Sequence, residues 1–284
     1  LGLPPSEIGV CGAVGQDFLG DFIVRTLEGY GLRLFIERVP ASTNKNVILV
    51  VKGEDRRFHV ELGASDLLRP EAIIDIVERE RPEVFYLASG ITDLVDRVVG
   101  HVFRRAKEAG SLTFADFVPP HGKGWDYLVP ALPFIDVLHC NEAEALGLTG
   151  AGSVEEAVRW LLERGVKLVL VTRGGEGALA ATERLVVEQP AFRVEVVDPT
   201  GAGDAFCAGT ILALLERGLR AGDLPGLGSG ELAQLLLWGQ AAGAAACTAP
   251  GTTEGVSRSK VEELIGEQGR YLLSRTSVRG WGAR

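Results

Sequence analysis

An α/β fold, with a doubly wound, mostly parallel sheet and a small β-strand lid, is the class this sequence predicts. Two observations carry the prediction. From Pro70 onward, short apolar segments that read as strands alternate with segments of helical length, the order that builds a parallel sheet covered on both faces. Ahead of them, at 33–62, three strand-like segments follow one another with no helix between them.

Ile8–Val14 reads as a strand, with Gly12, Gly15, Asp17 and Gly20 forming the turn into a helix through Phe22–Glu28. Arg33–Val39, Asn46–Val51 and Arg57–Leu62 read as the three lid strands. In the last, Phe58, Val60 and Leu62 alternate with Arg57, His59 and Glu61, and Gly53-Glu54-Asp55 supplies a hairpin turn before it. Then come a helix at Pro70–Arg79, a strand at Val84–Leu87, a helix from Asp93 to Ala109 and strands at Leu112–Phe117 and Val137–Cys140. A helix at Val154–Arg164 leads to a strand at Lys167–Thr172 and a hairpin-like stretch over Ala178–Val197. Two helices, Gly203–Glu216 and the Ala-rich Glu231–Thr248, follow. No repeat or linker divides the chain, so residues 1–284 read as one domain.

Composition narrows the function classes. A net charge of −9 argues against a nucleic-acid partner, since phosphate backbones are held by clustered Lys and Arg. No apolar run approaches the roughly 18 residues of a membrane span, and no signal peptide is visible, so the expected location is cytoplasmic. The four cysteines (Cys11, Cys140, Cys207, Cys247) form no CxxC pair and read as reduced, buried thiols. The four histidines are scattered without metal-ligand spacing. The sequence has no methionine, so spacings within short motifs carry more weight than spacings across the chain.

The sharpest signal is Asp198-Pro199-Thr200-Gly201-Ala202-Gly203-Asp204, after an alternating Phe192-Val194-Val196 stretch that reads as a strand. A glycine turn that opens a helix presents free N–H groups to an anion, and small residues let the backbone approach it. Asp204 sits at the positive end of the helix dipole, which favours its ionised form, and an ionised carboxylate there can accept a proton from an attacking hydroxyl. A plain N-cap after a glycine turn explains the same residues equally well.

The string DPTGAGDAFCAG resembles the second signature of the ribokinase or PfkB family of carbohydrate kinases. The resemblance implies that Asp204 is the catalytic base and that the Gly201, Ala202 and Gly203 amides form an anion hole for the transferred phosphoryl. Asn141-Glu142-Ala143-Glu144 resembles the family's N-x-x-E, which implies that Asn141 and Glu144 organise Mg2+ and phosphate; an acidic helix start is the plain alternative. Thr172-Arg173-Gly174-Gly175-Glu176-Gly177 resembles the T-x-G-x-x-G turn, so Thr172, Gly174 and Gly177 are expected on the nucleotide phosphates. Thr248–Gly255, with Gly251, resembles the loop beside adenine. Asp198 and Thr200 match positions that bind a monovalent cation such as K+ in some members. Asn44 and Lys45 are candidate acceptor contacts, a solvated turn being the alternative. Gly12–Gly20 resembles the family's G-x-x-G-x-D-x-x-G and reads as structural.

Two departures matter. The strand with a sugar-binding Asp and the G-G-x-x-N segment, which usually open such chains, do not precede Leu1-Gly2-Leu3-Pro4, so a further N-terminal strand is expected outside this sequence. The segment Asp116–Trp125 lacks the Asp-x-Asn-x-Arg pattern associated with 2-keto-3-deoxygluconate and fructose kinases.

The expected activity is ATP-dependent phosphorylation of a hydroxyl, a primary alcohol, on a sugar or sugar-like metabolite. A nucleoside kinase and a catalytically silent sugar-binding relative are the alternatives on the same fold. A nicotinamide oxidoreductase is disfavoured, because Phe206 occupies the last glycine position of G-x-G-x-x-G. A Walker A reading fails, since His121-Gly122-Lys123-Gly124 lacks the following Ser or Thr. A homodimer through the lid is the expected assembly.

Overall fold

The computed structural model describes residues 1–49 and 57–281. Val50, Val51 and the expected Gly53-Glu54-Asp55 turn lie outside the described residues. In chain order the strands are β1 Gly9–Gly15, β2 Arg33–Val39, β3 Lys45–Leu49, β4 Arg57–Glu61, β5 Val84–Ser89, β6 Leu112–Phe117, β7 Val137–Asn141, β8 Leu168–Thr172, β9 Ala178–Ala181, β10 Leu185–Gln189 and β11 Ser277–Gly280. The α-helices are α1 Phe18–Gly29, α2 Pro70–Glu80, α3 Asp93–Asp96, α4 Val99–Glu108, α5 Glu142–Thr149, α6 Val154–Glu163, α7 Ala202–Glu216, α8 Ser229–Ala246, α9 Arg258–Leu264 and α10 Arg270–Arg275.

Seven strands form the main sheet in the order β11-β10-β9-β8-β7-β6-β5. β5 to β8 run parallel, and β8 to β11 pair antiparallel. Alternation along β8 explains why both faces are covered. Val169 and Val171 point into the core beneath α4, α5 and α6, while Leu168 and Leu170 point into the core beneath α7 and α8. The doubly wound α/β architecture read from the sequence is therefore the one observed.

Three readings are corrected. Arg33–Val39 pairs parallel with β1, from Gly9↔Arg33 to Gly15↔Val39, and not with the two later lid strands. The described hairpin of the lid is β3 against β4 alone. The helix expected over Asp93–Ala109 is two, because Asp96 turns its carboxylate back to accept from the Gly90 and Thr92 N–H groups and Val98 leaves helical geometry. Phe192–Val196 is not a strand. Arg193 exchanges both backbone groups with the Gln268 amide, and Val197 N–H donates to Cys247 O, so this segment is tied to the C-terminal helices and has no ladder.

The lid root is pinned locally. Asp17 caps α1 through the Gly20 N–H and also accepts from the Thr43 N–H (2.8 Å) and hydroxyl (2.6 Å). The Thr43 hydroxyl, amide and Gly20 amide hold its carboxyl down at about 2. Asn44 Oδ1 accepts from both Gly63 N–H and Ser65 N–H, each at 3.1 Å, joining the two ends of the lid.

α7 and α8 touch almost backbone to backbone. A Cβ on Gly209 would lie 2.5 Å from Trp238 O, and one on Gly239 would lie 2.5 Å from Thr210 Oγ1. Alanine in an open helix interior is favoured over glycine by roughly 0.5–1 kcal/mol, but here the added methyl has no room. Gly209→Ala therefore lowers stability by about 1–3 kcal/mol, read as a fall in the urea midpoint; a rise would show that the helices can separate freely.

Candidate active site

The C-terminal ends of the parallel strands β5 to β8 form one edge, the place where open α/β sheets bind ligands. The glycine turn before α7 closes over that edge. Gly201 takes φ +80°, and a Cβ there would meet Thr252 O at 2.7 Å, so only glycine lets the 251–255 loop pack against the turn. Asp198 fastens both segments: Oδ1 accepts from the Thr200 N–H (2.9 Å) and hydroxyl (2.6 Å), and Oδ2 from the Gly251 N–H (3.2 Å). Gly201, Ala202 and Gly203 line the start of α7, where the leading N–H groups lack intrahelical acceptors. Of the three amides expected from the sequence to form the anion hole, Ala202 N–H already donates weakly to Pro199 O at 3.3 Å.

Asp204 stands in the first turn of α7 with its side chain exposed to the cleft. The helix dipole was expected to favour its charge, yet its pKa is raised. Withdrawal of water by the surrounding protein is the main cause and the negative charge of Asp116 the next, while its own backbone amide and His139 oppose them. Asp204 is thus a stronger base than an ordinary aspartate.

Asn141 and Glu144 open α5 as a reciprocal capping box. Asn141 Oδ1 accepts from Glu144 N–H at 2.9 Å, and Glu144 Oε2 accepts from Asn141 N–H at 2.8 Å. Burial raises the pKa of Glu144, the Asn141 amide pulls it down, and the charge of Asp116 adds to the rise. Burial, with the charge of Asp116 added, thus raises both Glu144 and Asp204 at this end of the sheet. Hard oxygen donors of this kind fit Mg2+, which keeps part of its water shell.

Thr172, expected on the nucleotide phosphates, ends β8, and the turn after it is a short 3-10 helix, Gly174–Glu176. Gly177, at φ +110°, could carry no side chain, since a Cβ would lie 2.1 Å from Gln189 O. Around Gly174 and Gly175 a Cβ would meet no neighbour, so this rim is open. Arg173 reaches Glu142 (3.3 Å) and Glu188 (3.1 Å), bridging the turn to α5 and β10. The acceptor candidates have structural work already: Asn44 staples the lid, and Lys45 Nζ pairs with Glu61 at 2.8 Å.

Sequence reading missed the row beneath Asp204. Tyr86, Asp116, His139 and Thr172, from four neighbouring strands, connect side by side. Tyr86 hydroxyl donates to Asp116 Oδ2 (3.1 Å), His139 Nδ1 lies 3.1 Å from Asp116 Oδ1, and His139 Nε2 lies 3.3 Å from Thr172 Oγ1. A carboxylate only accepts, so Nδ1 carries the proton towards Asp116. His139 stacks on Phe206 at 5.0 Å, which joins the row to α7. The sequence cue was available: Asp116 and His139 sit near the C-terminal ends of adjacent parallel strands.

A doubly wound sheet with a glycine-rich turn opening a helix that carries an aspartate, and a second glycine turn after β8, defines a ribokinase-like phosphotransferase. The chain belongs to the PfkB family of carbohydrate kinases, whose model matches residues 1–259. It is 28% identical over 221 residues to aminoimidazole riboside kinase of Salmonella typhimurium, covering 73% of this chain and 68% of that one. The chain spans about two thirds of the length of such curated relatives. Its structure is similar to fructokinase with bound ATP from Xylella fastidiosa (TM-score 0.80, 26% identity, 91% of this chain and 85% of that one). It is also similar to a putative ribokinase II of E. coli in complex with ATP and Mg2+ (TM-score 0.75, 26% identity, 91% and 83%). No described helix is long and apolar enough to cross a membrane.

The electrostatic origin of the Asp204 shift is testable directly. In Asp116→Asn the Asp204 carboxyl, followed by carbon-detected NMR, titrates at lower pH than in the unsubstituted protein. An unmoved titration would remove Asp116 as a cause.

Proposed function

We propose that this chain transfers the γ-phosphoryl of ATP to a primary hydroxyl of a sugar or riboside, with Asp204 as the general base. The observation that carries the reading is Asp204 itself: an exposed carboxylate of raised pKa on the helix that opens at the anion turn. A base of that strength, one residue from Gly203 N–H, faces both the acceptor proton and the phosphoryl charge. Relatives named as a riboside kinase and a fructokinase support an acceptor that offers a CH2OH group.

In this reading ATP lies along Thr172, Gly174 and Gly177, with its base towards Gly251. The Gly201, Ala202 and Gly203 amides take up charge on the transferred group, and Asp204 Oδ orients and deprotonates the acceptor hydroxyl. Asn141 and Glu144 would hold Mg2+ through its waters, and the ion neutralises phosphate charge when bound. Asp198 and Thr200 would hold a monovalent cation such as K+ only by exchanging the bonds they make to each other and to Gly251. Acceptor contacts from Asn44 or Lys45 would use the Asn44 NH2 group and the Lys45 ammonium protons not given to Glu61. Dependence on ATP fits a cytoplasmic enzyme.

Asp204→Asn is expected to lower kcat by about 100-fold or more with little change in ATP affinity. Turnover would be followed by coupled ADP detection across a panel of pentoses, hexoses and nucleosides, and ATP binding by calorimetry. Unchanged kcat would overturn the assignment of the base.

The lid is proposed as the dimer contact. In β3–β4 the cross-strand register puts Val47 and Leu49 on one face and Val60 on the other, and all three are exposed. Leu49→Asp is expected to weaken self-association in sedimentation velocity and to raise KM for the acceptor more than for ATP. A monomer at micromolar concentration before substitution would remove the dimer.

A further inference from the structure

Besides the kinase machinery, the cleft floor holds a donor set of a different chemical kind. Asp116 closes β6, His139 lies in β7, and Cys207 lies one helical turn beyond Asp204 on α7. One oxygen, one nitrogen and one sulfur from these residues all lie within 4.8 Å of one another. His139 Nδ1 is 3.1 Å from Asp116 Oδ1, and Cys207 Sγ is 3.7 Å from Asp116 Oδ2. The two contacts end on different oxygens of Asp116; tetrahedral ligation with bonds of about 2.0–2.3 Å needs donor atoms roughly 3.3–3.8 Å apart, so a spread of at most 4.8 Å closes on an ion with shifts of about 1 Å.

The donors are also held in place. The His139 ring is fixed by Thr172 at Nε2 and by the Phe206 stack. Asp116 receives the Tyr86 hydroxyl on Oδ2 and the Phe117 N–H (2.9 Å) on Oδ1. Outer contacts of this kind orient ligating imidazoles and carboxylates in metal sites. Each donor comes from a rigid element, with Cys207 1% and His139 4% exposed, and the Asp116 side chain, at 13%, opens towards the cleft.

We propose that Asp116, His139 and Cys207 form a binding site for a borderline transition-metal ion such as Zn2+, whose occupation inhibits the kinase. Sulfur and imidazole select against Mg2+ and Ca2+, which take oxygen, and favour Zn2+ or Co2+. Three protein ligands leave a fourth position for water from the cleft. Coordination displaces the thiol proton to solvent, moves the His139 proton from Nδ1 to Nε2, where Thr172 Oγ1 accepts it, and turns the Asp116 carboxylate from His139 to the ion. Held by Cys207 one helical turn from Asp204, the ion offsets the Asp116 charge, which after burial is the second cause that raises the Asp204 carboxyl. Binding is independent of the functional reading; the inhibition rests on it.

The test is a titration of chelator-treated full-length protein with Co2+, followed by thiolate-to-cobalt charge-transfer absorption, with Zn2+ calorimetry in parallel. One equivalent with a charge-transfer band is expected. The band should vanish in Cys207→Ser, and affinity should fall at least tenfold in His139→Gln. Absence of the band in the unsubstituted protein, or its survival in Cys207→Ser, overturns the site. Should Cys207→Ser not fold, unchanged affinity in folded His139→Gln overturns it alone. Turnover with excess Mg2+ and ATP should fall as Zn2+ approaches one equivalent, and Cys207→Ser should resist at least tenfold more Zn2+. Zn2+ bound without loss of turnover overturns the inhibition only. Metal binding by a protein that turns over no acceptor leaves this site standing and removes the kinase reading instead.

Discussion

The close approach of α7 to α8 is the constraint on which the site depends. Gly209, Gly239 and Gly243 remove the side chains that would otherwise separate the two helices, and a Cβ on Gly243 would reach Ala202 O at 3.0 Å. That last contact lies at the first residue of α7, so α8 braces the end of the helix that presents the anion turn and Asp204. Leu212, Ala213 and Leu214 then bury the rest of α7 in the core. The turn itself is made of residues with little side chain to anchor. Its position is inherited from the helix behind it and from Asp198, which joins it to Gly251.

Charge organises the other half of the site. Asp116, Glu144 and Asp204 approach the cleft from β6, α5 and α7, and burial together with Asp116 raises the last two. Stability is arranged differently at the far end of the sheet. There the wholly buried Asp136 takes Lys107 and Lys167 as partners at 3.0 and 2.9 Å, together with the Thr113 amide and hydroxyl. Burial alone would raise its pKa, but the Thr113 amide and both lysines outweigh it and hold the carboxyl below the usual range. A depressed carboxyl contributes stability above its unfolded pKa and loses it as pH falls through the folded value, so this end of the sheet weakens only in acid. One end of the strands is compensated for folding. At the other, burial and the Asp116 charge leave Glu144 and Asp204 raised.

Local patterns were legible where the physics is local. The α/β alternation, the glycine turn at 201–203 and the helix starting at Asn141 could all be read from periodicity and small residues. Phe192, Val194 and Val196 misled because alternation marks a surface with two sides, whether or not a strand lies next to it. Here Gln268 and Cys247 supply the partners. Asn44 looked like a ligand contact because it is polar and near a turn, whereas its amide oxygen is committed to Gly63 and Ser65. Asp116 and His139 share the C-terminal ends of the adjacent strands β6 and β7, but Cys207 could not be grouped with them in advance, since only the crossing of α7 brings it there. Their proximity is a property of topology.

The stapled root of the lid has a mechanical meaning. Asn44 ties the chain leaving the body to the chain returning at Gly63 and Ser65, and Ala64 N–H donates to Ser42 O alongside it. With its two legs fastened together, the β3–β4 hairpin behaves as one plate and cannot shear open strand by strand. Thr43 bolts that plate to Asp17 and Gly15, at the end of β1 and the start of α1. A displacement of β3 and β4 is therefore carried to the β1–α1 corner.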